Sequence, residues 1–305
     1  MLLSGVPAGL AGQVAMLEQK CVVAGGLPLP CAAGADIGAI APARALLVAF
    51  GGNAVPGTAS TMGYRMPGRP RIGLSARILA APVELPTSTG SSRSALMSGL
   101  NAGVAVGIVD GLTAMSTVGG AGSIDVIGTL GITRFPGGAG FEGSSAFNWG
   151  IGARLGVIRE SFTLPGISVT ALYGRLGSAN AGDAAVGDAG AGVGLDGLRA
   201  FNVTATVGKR VALLGWTAGL NWMHHSANVS VLAGKGGNGL ARANETISGS
   251  RLGAFGSATW TLMVLGLTAE AGWQSAGSDL ASGRAPASGS ASGGVFFGIA
   301  ARLTI

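Results

Sequence analysis

Strict alternation of apolar with small or polar residues, held over about ten or more positions at a time, is what most limits how this chain can fold. The closing segment shows it best. Val295, Phe297, Ile299, Ala301, Leu303 and Ile305 fall on one face, and Phe296, Gly298, Ala300, Arg302 and Thr304 on the other. Successive side chains of a strand point to opposite sides of the sheet, so such a run builds one apolar face and one mixed face. Leu265, Leu267, Ala269, Ala271 and Trp273 repeat the pattern against Gly266, Thr268, Glu270, Gly272 and Gln274. It recurs over 214–223, 201–208 and 147–158, and further strands are expected at about 72–80, 96–109, 121–133, 166–177 and 248–261, which makes ten. Soluble strands usually run ~5–6 residues, whereas strands that cross a bilayer need ~9–11.

Composition says which solvent the apolar faces meet. Charged residues are 10% of the 305 and Gly is 57 of them, against ~25% charged in an ordinary soluble domain. Lipid is the medium that such a surface suits. Only helices and closed barrels satisfy every backbone group there. Two stretches approach the length of a spanning helix, Leu252 to Ala269 and Val211 to Gly234, but both carry Gly, Thr, Ser or Asn at alternate positions. The connections also alternate in length: short near 110–120, 159–165, 209–211 and 262–264, and long near 81–95, 134–146, 178–198, 224–247 and 275–293. Short periplasmic turns alternating with long outer loops are the habit of bacterial barrels. The fold expected is all-β, a transmembrane antiparallel up-and-down barrel of about ten strands, in the outer membrane of a Gram-negative-type bacterium. The run from Arg44 to Phe50 also reads as a strand, and eleven would break parity, so it is either a plug or pre-barrel segment or part of an extra hairpin that makes twelve, the alternative count. A soluble glycine-rich fibre or adhesin is the competing class.

Residues 72–305 are assigned to the barrel and 16–71 to a periplasmic N-terminal segment or plug. Residues 1–15 read as the remnant of a secretory signal with a cut near Ala11 or Ala15, although the positive n-region is lacking. Cys21 and Cys31 have no common zinc or redox spacing and are expected to pair as a small-loop disulfide in an oxidising periplasm, two free thiols being the alternative.

The run from Gly294 to Ile305 resembles the C-terminal strand of bacterial outer-membrane proteins, which the barrel-assembly machinery reads. That resemblance implies the machinery and the outer-membrane lipid as partners. Here the chain ends on Ile305, where that class more often has an aromatic residue. Gly52-Asn53-Ala54 followed by Ala59-Ser60-Thr61 resembles the entry segment of the long-chain fatty-acid transporter family. In that family an Asn-Pro-Ala comes next; this sequence lacks it and its spacing is shorter.

A charge on the lipid face near the midplane costs ~2–4 kcal/mol, so Arg77, Asp125, Arg154, Arg251, Glu270 and Arg302 are expected to face the lumen. They read either as an electropositive constriction for small polar or anionic solutes, or as Arg–Glu and Arg–Asp pairs that fill a narrow barrel. Inward glycines such as Gly150, Gly152, Gly156, Gly215 and Gly219 would leave space. Trp149, Trp222, Trp260 and Trp273 sit near strand ends, where interface girdles form. A rim hydrolase, as in omptins, would use His224 or His225 with Asp183, Asp188 or Asp196. Adjacent strand residues point apart, however, and no omptin-like motif surrounds them. No phosphate-loop, zinc-protease or G-x-S-x-G signal is present, and the 19 Lys and Arg are scattered singly, which argues against nucleic acid. No cofactor, metal or enzymatic activity is expected. The leading expectation is a passive solute channel, and the second a structural or surface-interaction barrel with a closed lumen.

Overall fold

The computed structural model describes residues 9–66, 69–115, 118–137, 142–183, 189–237, 239–276 and 293–305. Ten strands form one antiparallel wall: β1 (Ile72–Pro86), β2 (Ser92–Val109), β3 (Ser123–Arg134), β4 (Ser145–Ile158), β5 (Gly166–Leu176), β6 (Ala191–Val211), β7 (Leu214–Gly234), β8 (Leu240–Leu262), β9 (Leu265–Gln274) and β10 (Gly294–Thr304). Each pairs with its successor, and β10 returns to β1 in a register running from Phe297 opposite Ala80 to Thr304 opposite Gly73. Ile72 and Ile305 exchange backbone hydrogen bonds of 3.1 and 2.9 Å at the seam. The sheet therefore closes with ten strands, as the alternation predicts, and the twelve-strand alternative falls.

Around the outside runs a belt of residues with which water has no business. On β8 it comprises Leu252, Ala254, Gly256, Ala258, Trp260 and Leu262; on β10 Val295, Phe297, Ile299, Ala301 and Leu303 continue it. Trp149, Trp222, Trp260 and Trp273 all point outwards and are 38–49% exposed. Trp149 meets Tyr173 edge-on, and Phe201 meets Trp222 in the same way, with ring centroids 6.3 Å apart in each pair. Trp216, which the sequence reading left out, lies beside Trp260 at the opposite end of the belt. A closed wall with such a belt is a transmembrane barrel of the outer-membrane kind.

Three of the expected long loops are largely strand. β6, β7 and β8 run 21, 21 and 23 residues, far beyond a bilayer's need. Above the belt the alternation keeps its phase and reverses its polarity. Ala227, Val229, Val231 and Ala233 of β7 point inwards and are buried, while Asn228 points out; on β8, Ala241 and Ala243 point in, while Arg242 and Asn244 point out. The outside there is water, so an apolar-out search stops at the belt edge. A short strand at Ala179–Gly182 extends the wall beside β6 at this level.

The run from Arg44 to Phe50 is not a strand. It is the end of α2 (Pro28–Phe50), a helix that starts with Pro at its first turn and is rich in Ala, the best helix former. A helix closes its own backbone hydrogen bonds, so it can stand in a lumen with no sheet edge to join. α1 (Leu10–Val23) precedes it and packs on α2 and on β8 through a stripe of Leu10, Leu17 and Cys21. Residues 10–15, expected to belong to a signal remnant, are the first turns of α1. Cys21 and Cys31 are joined as a disulfide. It lies at the long-connection end, where Leu27 N donates to Gly234 O over 2.9 Å. In a barrel whose short turns face the periplasm, that end is the outer one.

Candidate functional site

The lumen is the place where this chain gathers its polar side chains, and α2 runs through it. The helix is about 35 Å long. It is long and apolar enough to cross a membrane, but 94% of its most apolar window is buried inside the protein. It packs most closely against β1, β2, β6 and β7 of the wall and against α1, and also touches β3 and β5. Gly34 and Gly38 lie against Val231 and Val229 of β7 so closely that a Cβ at either would sit 2.5 Å from a valine methyl. At the lower end Phe50 fills the space opposite Gly150 and Gly174. Of the inward glycines expected to leave space, Gly150 thus faces the helix, whereas Gly219 faces Phe255 of the wall and Gly156 faces Ser123 and Thr61.

A helix ends with four carbonyls that lack intrahelical donors. Here the wall supplies them. Asn101 Nδ2 donates to Val48 O (3.2 Å), Arg77 Nη2 to Ala49 O (3.4 Å) and Asn202 Nδ2 to Phe50 O (2.9 Å), while Gly51 N closes on Leu47 O (2.7 Å). Arg77 also donates through Nη1 to Gly51 O and Asn53 O at 2.8 and 3.0 Å. Its cation stands at the negative end of the helix dipole. Arg77 is therefore the clamp on the plug's lower end.

The segment below α2, residues 51–63, is pinned by three more of the predicted charges, Glu270, Arg154 and Asp125. Asn53 N donates to Glu270 Oε2 over 3.2 Å, and Gly52 beside it has φ +67° with the Glu270 carboxylate where a Cβ would go. Arg154 reaches Asn53 Oδ1 (3.2 Å), Ser60 O (3.1 Å) and Thr170 Oγ1 (3.4 Å). Both Asp125 oxygens accept from Met62 N at 2.9 Å, and Thr61 shares a 2.6 Å hydrogen bond with Ser123. Asp125 and Arg154 are register partners on β3 and β4. Asp125 nevertheless spends its hydrogen bonds on the plug segment and Arg154 divides its own between that segment and Thr170 of β5; among the described residues neither belongs to an ion pair.

Arg251 and Arg302 lie inside the wall but apart from this network. Arg251 donates to Ser275 O over 3.3 Å near the outer end. Arg302 lines a recess of about 720 Å³ at the short-turn end, beneath the plug segment. A second recess, of about 730 Å³, opens at the outer end between β2 and the connection after β3. At the outer rim Lys20 of α1 pairs with Glu245 (2.6 Å), and Gln13 accepts from Ser248 N (2.8 Å). The histidines part as strand geometry requires: His224 faces out, stacks on Trp222 and contacts Ser250 Oγ at 3.0 Å, whereas His225 is buried inside. Asp183 accepts from Ala191 N and Ser88 Oγ, Asp196 is exposed, and Asp188 lies outside the described residues. No group of three or more His, Cys, Asp or Glu among the described residues is placed to hold a metal.

The alternation placed the six charges inside the wall. It did not single out Asn101 and Asn202, because nothing in a strand's own pattern tells an inward Asn that holds a helix from one that holds water; Asn53 lies on no strand, so alternation does not bear on it.

No family model matches the chain, and no curated protein matches it. Solved structures similar to it include the translocator domain of the autotransporter NalP from Neisseria meningitidis, at 11% identity and TM-score 0.38, covering 77% of this chain and 88% of that one. The outer membrane protease OmpT from Escherichia coli matches at 11% identity and TM-score 0.40, covering 81% and 100%. A FadL homologue from Pseudomonas aeruginosa matches at 10% identity and TM-score 0.21, covering 84% and 97%.

Proposed function

We propose that the protein is a self-plugged outer-membrane barrel whose lumen is closed at rest, and that it acts at its outer end as a structural or surface-interaction barrel. The observation that carries this reading is α2, which occupies the axis that a solute would have to follow. A passive channel needs a continuous water path between lumenal side chains. Here those side chains are engaged with the plug: Arg77 and Asn202 with the helix end, Arg154 and Asp125 with the segment after it. The long hairpins of β6, β7 and β8 carry polar residues such as Asn228, Arg242 and Asn244 above the belt, where a partner would meet them.

Planar-bilayer recording of the refolded protein tests the closed lumen, with insertion checked separately by heat-modifiable gel migration. Wild type is expected to give no discrete conductance steps, and a variant lacking residues 9–50 to give them. Stable steps from the wild type would overturn the reading and restore the passive channel. Silence from both inserted proteins would move the closure from α2 to the barrel wall.

A further inference from the structure

We infer that the inner mouth of the barrel is a binding site for phosphate-bearing anions. The recess there is walled by three short turns, β4 to β5, β6 to β7 and β8 to β9, and roofed by the plug segment Gly57–Met62. Arg71, Arg159, Lys209, Arg210 and Arg302 line it, and Glu160 is the one carboxylate among its lining residues. Part of this charge is already engaged. Arg159 Nη2 binds Asp110 Oδ1 at 2.7 Å, and Lys209 Nζ donates to Phe162 O at 2.7 Å. Glu160 Oε1 accepts from the backbone N of Arg210 rather than from a guanidinium.

That leaves Arg71, Arg210 and Arg302, whose guanidinium groups make no hydrogen bond to another described residue, around one cavity. Arg71 and Arg210 are exposed, and Nη1 of Arg302 is buried. Guanidinium forks match the oxygens of phosphate and hold them by charge-assisted pairs, which a scatter of ammonium groups would not do as well. Like charges held around one space repel one another, and a multivalent anion between them relieves that repulsion. About 720 Å³ is more than a phosphate needs, so an organic remainder fits as well. The same chemistry has two sources, a free periplasmic solute and the headgroup of a phospholipid at the barrel's inner rim. The site does not depend on whether the plug ever moves.

Titration calorimetry with pyrophosphate, on the refolded full chain in uncharged detergent, tests it. We expect one-to-one binding that weakens as NaCl rises from about 50 to about 200 mM. The double variant Arg71→Gln, Arg210→Gln should bind about tenfold or more weakly, and so should Arg302→Gln. Both changed residues of the double variant are exposed, and heat-modifiable migration reports whether each barrel is folded. Arg242→Gln, at the outer end, should bind as wild type does. No binding by the wild type, or equal affinity in the folded variants, overturns the site. Nanodiscs then separate the sources. If phosphatidylglycerol in place of phosphatidylcholine lowers the affinity for pyrophosphate, the headgroup is a ligand of the site; unchanged affinity assigns it to free anions.

Discussion

Arg77 illustrates what one residue does in this molecule. On sequence grounds it is an inward charge in a strand of a narrow barrel, and such a group reads equally as a selectivity residue or as filling. Its guanidinium instead meets Ala49, Gly51 and Asn53 carbonyls at the end of the plug helix. Hydrogen bonds to charged groups are worth about 1.5–3 kcal/mol each when buried partners are otherwise unmet. The three losses do not add, because neighbouring donors and water take up part of what the fork supplied, so Arg77→Ala should cost about 2–4 kcal/mol, read as a lower urea midpoint in lipid vesicles. Arg77→Lys should recover only part of this, because an ammonium cannot fork across several carbonyls. An unchanged midpoint in Arg77→Ala would mean that the helix end is held by Asn101 and Asn202 without it. Residue by residue, alternation located Arg77, Asp125, Arg154 and Glu270 on the lumenal face. Their partners in the plug lie 24 to 217 positions away along the chain, and no local pattern encodes a contact over that distance.

Among the elements, the membrane parts of the strands were legible and their outer extensions were not. β9 and β10 were read nearly residue for residue, because lipid outside makes their apolar face plain. β7 carries the same alternation on past Met223, but with apolar Val229 and Val231 turned inwards against α2, so its second half passed for a loop. α2 went unrecognised for a related reason: it is apolar nearly all round, as a helix enclosed by a wall must be, and its last seven residues also fit a short strand. α1 buries a narrow stripe of Leu10, Leu17 and Cys21 and is tied down further by the Cys21–Cys31 bridge, 10 residues apart in sequence, and by the exposed Lys20–Glu245 pair. Exposed ion pairs contribute ~0–1 kcal/mol. Closing a loop of this length contributes about 2–3 kcal/mol. The pair Cys21→Ser, Cys31→Ser is thus expected to expose the backbone of α1 to hydrogen exchange while the wall strands keep their protection. Equal protection of α1 with and without the bridge would place its anchoring in Leu10 and Leu17 instead.

For the whole molecule, closure is the property on which the rest depends. β10 pairs on both sides, with β9 and with β1. Removing residues 294–305 would open two unpaired edges in an apolar medium, where each unmet backbone group costs several kcal/mol. Such a truncation is expected to lose the compact, heat-modifiable form on gels altogether, whereas loss of 9–50 should leave it. A folded truncated barrel would show that β1 and β9 can meet directly. The lipid-facing side of each strand and the membrane as solvent were determined by the sequence alone, since they rest on composition and on a two-residue period that every strand states for itself; the strand count was narrowed to ten or twelve, and closure of β10 on β1 decided it. What fills the barrel was decided only in three dimensions. The lumen is bounded by side chains from strands far apart in the chain, and whether they face water or a helix depends on where residues 10–63 come to lie.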